Sequence, residues 1–103
     1  MSAVRERLPD RRSAETLALE FAGLRYTVTT GRFPDGRLGE IFVANHKRSN
    51  AADVVVRDAG ILISLLLQHG CASDTISHAI SRNGDGTPAG VIGAVLDLVA
   101  RRP

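Results

Sequence analysis

The chain has 103 residues, of which 44% are hydrophobic and 23% charged, with a formal net charge of +2. This length fits one domain with a small core, and this composition is that of a globular protein rather than a disordered or membrane protein. No run approaches the ~18 apolar residues of a membrane span, and no apolar segment follows the first charges. We therefore predict a cytoplasmic protein that does not bind a membrane.

Arginines are concentrated at the two ends of the chain, and the sequence pI is about 9.3. They are Arg5, Arg7, Arg11 and Arg12 near the N-terminus and Arg101 and Arg102 near the C-terminus. Such short clusters either keep a terminus solvated or bind phosphate or nucleic acid. We predict a flexible basic tail over residues 1–12 and a single domain over residues 13–103.

The first half of the chain has the patterns of three strands. Residues 16–21 alternate between polar and apolar side chains, which is the period of a strand with one buried face. Residues 24–30 are rich in β-branched and aromatic side chains. Pro34-Asp35-Gly36 is a strong turn signal, and residues 39–44 follow as a third strand. These signals predict an antiparallel meander.

The second half has the patterns of helices. Asn50 and Asp53 have the spacing of a capping box and predict a helix that starts near Ala51 and ends at Gly70. Its residues 59–67 are apolar almost all round, so we expect them to pack against the sheet and against something else as well.

Two further helical segments follow that long helix. We predict a short helix capped by Ser73, a loop over residues 83–88 and a last helix over residues 89–101. The predicted fold class is α+β: a three-stranded antiparallel meander followed by two to three helices packed on one face.

Two stretches, residues 34–42 and residues 66–70, together resemble one known family. They resemble the TSCPD domain, the module found near the C-terminus of adenosylcobalamin-dependent (class II) ribonucleotide reductases and also as small stand-alone proteins. The family-motif residues are Asp35, Gly36, Arg37, Gly39, Glu40, Gln68, His69 and Gly70. The resemblance covers roughly residues 8–99, although the Thr-Ser-Cys-Pro-Asp segment that names the domain is missing.

This resemblance implies a role in deoxyribonucleotide metabolism and a ribonucleotide reductase, or another protein, as partner. Radical reduction of a ribonucleotide needs a thiyl-forming cysteine, a reducing cysteine pair and a cobalamin site, whereas Cys71 is the single cysteine. We therefore predict no catalytic residue and no cofactor, and a non-catalytic accessory or regulatory module. An enzyme fragment that completes a site only in an assembly is a further alternative.

A different class of function is suggested by the glycine-rich loop before the last helix. The candidate phosphate-binding residues are Arg82, Gly84, Gly86, Thr87 and Gly90. Glycines allow close backbone approach, a helix start presents free amides, and a guanidinium holds an anion bidentately. The loop matches neither the P-loop nor the dinucleotide fingerprint, so a plain inter-helix loop stays an alternative to a nucleotide- or nucleic-acid-binding site.

Three histidines and the cysteine are the candidate metal ligands. His46, His69, Cys71 and His78 do not have the spacing of a zinc motif, so we predict no metal site.

The long helix also bears on self-association. Its surplus of apolar surface predicts a two-fold homodimer, with Ile63 or Leu66 near the interface.

Overall fold

The computed structural model describes residues 2–47 and 51–101. It contains the strands β1 (Ser13–Phe21), β2 (Leu24–Arg32) and β3 (Leu38–Asn45) and the helices α1 (Ala51–Gln68), α2 (Ser73–Ala79) and α3 (Val91–Ala100). The strands form one antiparallel sheet in the order β1-β2-β3. The predicted α+β class and the meander are therefore confirmed.

One face of the sheet carries the hydrophobic core. Side chains alternate along a strand, so Tyr26 and Val28 of β2 share this face with Ile41 and Val43 of β3. The helices complete the core with Val56, Ile63 and Leu67 of α1, Ile76 of α2, and Val95, Leu96 and Val99 of α3. Val28, Ile41 and Val95 are fully buried, which places the centre of the core between β2, β3 and α3.

Helix α1 lies along the outer edge of β3. The side chain of Asp53 accepts a hydrogen bond from the Asn45 N–H at 2.9 Å, and the Gln68 Nε2 donates to the Gly39 carbonyl oxygen at 2.9 Å. Between them, the Ser64 hydroxyl bonds both the N–H (2.9 Å) and the carbonyl oxygen (3.0 Å) of Ile41. Three buried polar side chains therefore replace a fourth strand.

The spacing of residues along α1 matches the spacing of residues along β3. Four helical residues rise about 6 Å and two strand residues about 6.7 Å, so the helix positions 64 and 68 stay in step with the strand positions 41 and 39. Gly60 allows the backbones to approach, because a Cβ there would lie 3.0 Å from the Ile41 carbonyl oxygen and 3.3 Å from the Val43 nitrogen.

Some local predictions differ from the structure. Helix α2 has Ala72 at its N-cap without a side-chain hydrogen bond, so the prediction that Ser73 caps it is wrong. The predicted loop over residues 83–88 is present, as a tight turn whose flanks pair through a bridge between Arg82 and Pro88. The predicted N-cap Asn50 lies outside the described residues. None of the described helices has the length and apolar character needed to cross a membrane.

Candidate functional site

The first of the two stretches that resemble the family, residues 34–42, begins with a tight turn between β2 and β3. The Gly36 N–H donates to the Phe33 carbonyl oxygen at 2.9 Å, and Gly36 has a φ of 94°, a left-handed conformation that favours glycine. Asp35 accepts hydrogen bonds from the backbone N–H and the guanidinium of Arg37, which lower the pKa of the Asp35 carboxyl. The Arg37 guanidinium stacks on the Phe33 ring at 4.6 Å from its centroid.

The same arginine reaches the N-terminal segment, here defined as residues 2–12. Arg37 Nη2 donates to both carboxylate oxygens of Glu6 at 3.1 Å. Gly39 provides room for Leu8, because a Cβ on Gly39 would lie 2.7 Å from the Leu8 Cδ2. The turn and the start of β3 therefore hold this segment by one ion pair and one apolar contact.

Glu40 holds the end of the N-terminal segment. Its carboxylate accepts two hydrogen bonds from the Arg12 guanidinium, and these raise the pKa of Arg12. Gly31 makes space for Glu40, since a Cβ there would collide with the Glu40 carboxylate. The glutamate is 8% exposed, so this ion pair is partly shielded from water.

The second family stretch meets the first at this same place. Gln68 links Gly39 to the N-terminal segment, because its side-chain oxygen accepts from Arg5 and its backbone oxygen accepts from the Glu6 N–H at 2.7 Å. His69 bonds the Ser2 backbone twice, through its carbonyl oxygen and through its Nδ1 at 2.8 Å. Gly70, with a φ of 90°, then ends α1.

These contacts bring together family-motif residues that are about 30 positions apart in the chain, Arg37, Gly39 and Glu40 with Gln68 and His69. The ion pairs between this cluster and the N-terminal segment were not predicted from the sequence, which carries no local signal for them. That residues 1–12 form a flexible tail stays a prediction.

A groove of about 500 Å³ lies beside this cluster. We call it the hairpin groove; its lining includes Arg32, Arg37, Leu67, Cys71, Ser77 and Val99. It opens between the β2–β3 turn, the connection from α1 to α2, and the C-terminal end of α3. A volume in the range of 300–1,000 Å³, with a largely apolar lining and a few polar groups, is typical of small-molecule sites.

The predicted phosphate loop is stabilised by its own side chains. Arg82 donates to both carboxylate oxygens of Asp97 at 2.9 Å and to the Ser77 hydroxyl at 3.0 Å. These bonds lower the pKa of Asp97 and raise that of Arg82. The Thr87 hydroxyl and N–H both donate to Asp85. Arg82 thus ties α2 to α3, and Thr87 closes the loop on itself. The phosphate-binding role of both residues stays a prediction.

Gly84, Gly86 and Gly90 of that loop lie open, because a Cβ added to any of them would meet no other described group within 4 Å. Gly86 has a φ of 87°, which the turn requires, and Gly90 is the N-cap of α3. The glycines therefore leave backbone accessible, while the charged side chain beside them is already paired.

The candidate metal ligands are scattered. His46 bonds the Thr27 hydroxyl, His69 bonds Ser2, and His78 bonds the Asp74 carbonyl oxygen. Cys71 lies in the hairpin groove. Within residues 2–47 and 51–101, no three metal-binding side chains come together.

Comparison with known proteins shows that the chain is similar in sequence to one segment of a group of large enzymes. Over 70 residues, 68% of the chain, it is 40% identical to a vitamin B12-dependent ribonucleotide reductase of Bradyrhizobium diazoefficiens and 41% identical to that of Agrobacterium fabrum. Over 77 residues it is 32% identical to that of Rhodopirellula baltica. The chain spans only 6–7% of the length of these relatives. No family model and no solved structure matches the chain. The predicted resemblance to a reductase segment is confirmed.

Proposed function

We propose that this chain, a relative of one segment of the vitamin B12-dependent ribonucleotide reductases, is a non-catalytic accessory or regulatory module of deoxyribonucleotide metabolism. The observation that carries the proposal is the match itself, which covers 68% of this chain but 6% of a reductase. A sequence that corresponds to one small part of a reductase is suited to bind a reductase, or to take the place of the matching segment within it.

The residues present do not fit a cobalamin-dependent reductase site. A thiol-based reduction uses several cysteines, and the sequence has one, Cys71. The hairpin groove, at about 500 Å³, is too small for a corrin ring with its nucleotide tail. A single cysteine also forms no intramolecular disulfide, which supports a reducing, cytoplasmic location.

A trans-complementation assay tests the proposal. A vitamin B12-dependent reductase would be shortened by the segment that matches this chain, and its activity would be measured with and without the separate chain. We expect the chain to bind the shortened enzyme and change its deoxynucleotide production, with the enzyme's own excised segment as positive control. The chain alone, with adenosylcobalamin, a dithiol and nucleotide, should give no product. Product from the chain alone, or neither binding nor effect in trans, would contradict the proposal.

The outer face of α1 supports a second part of the proposal, a two-fold homodimer. Six large apolar side chains of this helix remain exposed, Val54, Val55, Ile61, Leu62, Leu65 and Leu66, and Phe42 of β3 is 46% exposed. Together they expose on the order of 600 Å² of apolar surface, at the top of the range for a typical monomer and close to the ~800 Å² per partner of a standard interface. Of the two residues predicted near the interface, Ile63 is buried in the core at 5% exposure and Leu66 is 36% exposed, so Leu66 is the one that can contact a second copy directly.

Leu62, at 62% exposure, is the sharpest position for a test. We expect Leu62→Glu to convert the dimer to a folded monomer, because it places a charge in the middle of the apolar face. Val4→Glu is the matched control, since Val4 is 78% exposed and lies off this helix. Light scattering across a dilution series gives the mass, and circular dichroism checks the fold. A monomeric parent protein at micromolar concentration, or an L62E variant of unchanged mass, would contradict the dimer.

A further inference from the structure

The hairpin groove combines three kinds of surface in one concavity. Leu67 and Val99 form part of an apolar floor, and both are at most 5% exposed. Arg32 and Arg37 stand on the rim formed by the β2–β3 hairpin, and Asp74 and Ser77 stand on the rim formed by α2. A flat apolar body fits such a floor, and an anionic group fits the arginine rim.

The two arginines differ in the charge that they have left for a ligand. Arg37 is paired with Glu6 and with Asp35, so its positive charge is largely balanced. Arg32 donates one N–H to the Gly36 carbonyl oxygen at 3.0 Å, whereas a guanidinium has five N–H donors. Arg32 therefore keeps its charge and further N–H donors, which could bind a bidentate acceptor such as phosphate.

The opposite rim offers hydrogen bonds rather than positive charge. Asp74 is the one carboxylate among the described residues that line the groove, and Ser77 carries a hydroxyl. A carboxylate accepts hydrogen bonds from amino groups and repels phosphate. A ligand that spans the groove thus needs a phosphate at Arg32, a flat body over the floor, and a donor at the far end.

We propose that the hairpin groove binds a nucleoside phosphate, with the phosphate on Arg32 and the amino-bearing base edge toward Asp74. A mononucleotide has this distribution of groups and fits about 500 Å³. The groove holds an uncommitted guanidinium, whereas the Arg82 guanidinium beside the glycine-rich loop is already bound to Asp97 and Ser77.

Cys71 provides a positional reporter for this site. It is the only cysteine of the chain, it lines the groove, and it is partly accessible. A ligand seated in the groove blocks the approach of a thiol reagent, so the rate of reaction with an aromatic disulfide reports occupancy at this place.

The experiment uses AMP, adenosine and inorganic phosphate as probes, titrated by calorimetry at low salt. We expect AMP to bind and to slow the reaction of Cys71, and Arg32→Ala to weaken AMP by about tenfold or more. The AMP affinity of Arg32→Lys should lie between those of the parent protein and Arg32→Ala, since lysine keeps the positive charge but lacks the planar guanidinium that binds phosphate bidentately. Arg25→Ala is the matched control: Arg25 is on the same strand, is exposed, does not line the groove, and should change AMP binding by less than about twofold. Adenosine should bind weakly and should not respond to Arg32→Ala.

Three outcomes would overturn the proposal. The first is that AMP at millimolar concentration gives neither binding heat nor protection of Cys71. The second is that Arg25→Ala weakens AMP binding as much as Arg32→Ala does, which indicates nonspecific attraction by charge. The third is that AMP binds without protecting Cys71 and that Arg82→Ala abolishes this binding, which places the ligand at the glycine-rich loop. None of these affects the trans-complementation assay, which needs no ligand in the groove.

Discussion

Ser64 is the position at which the structure makes its strongest energetic prediction. Its hydroxyl accepts a hydrogen bond from the Ile41 N–H and donates toward the carbonyl oxygens of Ile41 and Gly60. Ile41 is fully buried, and the close approach of Gly60 leaves no room for water at this edge. Ser64→Ala therefore leaves a buried N–H without a partner, which costs about 1–3 kcal/mol in desolvation alone.

With the lost hydrogen bonds included, we expect Ser64→Ala to lower the free energy of unfolding by about 2–3 kcal/mol. For a domain of this size each kcal/mol shifts Tm by about 4–8 °C, so the melting temperature should fall by about 8–24 °C. Thermal and urea unfolding followed by circular dichroism measure both quantities, at one fixed protein concentration because the proposed dimer would make stability depend on concentration.

Ser73→Ala is the matched control. Ser73 is also a helical serine, but no side-chain hydrogen bond caps α2, so its replacement should change stability by less than about 0.5 kcal/mol. A Ser64→Ala variant that stays within that same margin would refute the reasoning, because it would mean that the edge of β3 is satisfied without the hydroxyl.

Two further predictions concern the ion pair of α3 and the N-terminal segment. The pKa of Asp97 is lowered chiefly by its hydrogen bonds from Arg82, so the ion pair stabilises the fold above the ordinary aspartate pKa of about 4, and this stabilisation is lost as the pH falls through the folded-state pKa. Asp97→Asn should therefore be less stable than the parent protein at neutral pH, and unfolding curves at decreasing pH should show this difference shrinking. A difference that stays constant with pH would contradict the contribution of the ion pair. Gly39→Ala should displace Leu8 and increase the rate of tryptic cleavage after Arg5 several-fold. Gly84→Ala is the control, because a Cβ on Gly84 meets no described group within 4 Å and should leave the cleavage rate unchanged. Equal cleavage rates in the two variants would show that other contacts hold the N-terminal segment.

The strands and α1 could be predicted from the sequence because their signals are local. Alternation, turn residues and a helical period each act over a few residues, and together they indicate the order of the elements and the α+β class. The prediction for Ser73 is wrong because a serine near a helix start is a cap only when it sits at the N-cap, and Ala72 takes that position here.

The arrangement of the site could not be predicted, because it depends on contacts between distant parts of the chain. Nothing near Arg82 indicates that its partner is Asp97, and nothing near Gln68 indicates that its amide reaches Gly39. Arg32 and Cys71 are about 40 positions apart and share the groove only once the hairpin and α1 have packed. The buried polar residues of α1 have the pattern of ordinary helix positions until the edge of β3 is placed beside them.

Because α1 covers the outer edge of β3, it limits where a further strand can pair with the sheet. Within the described residues 2–47 and 51–101, a strand from another molecule can join the sheet only beside β1, since β2 is central and the outer edge of β3 is occupied by side chains of α1. Two copies joined strand to strand through β1 would form a six-stranded sheet that ends in a helix on both sides. Such a sheet has no edge left to extend, so strand addition in this fold terminates at a pair and does not propagate into a fibre.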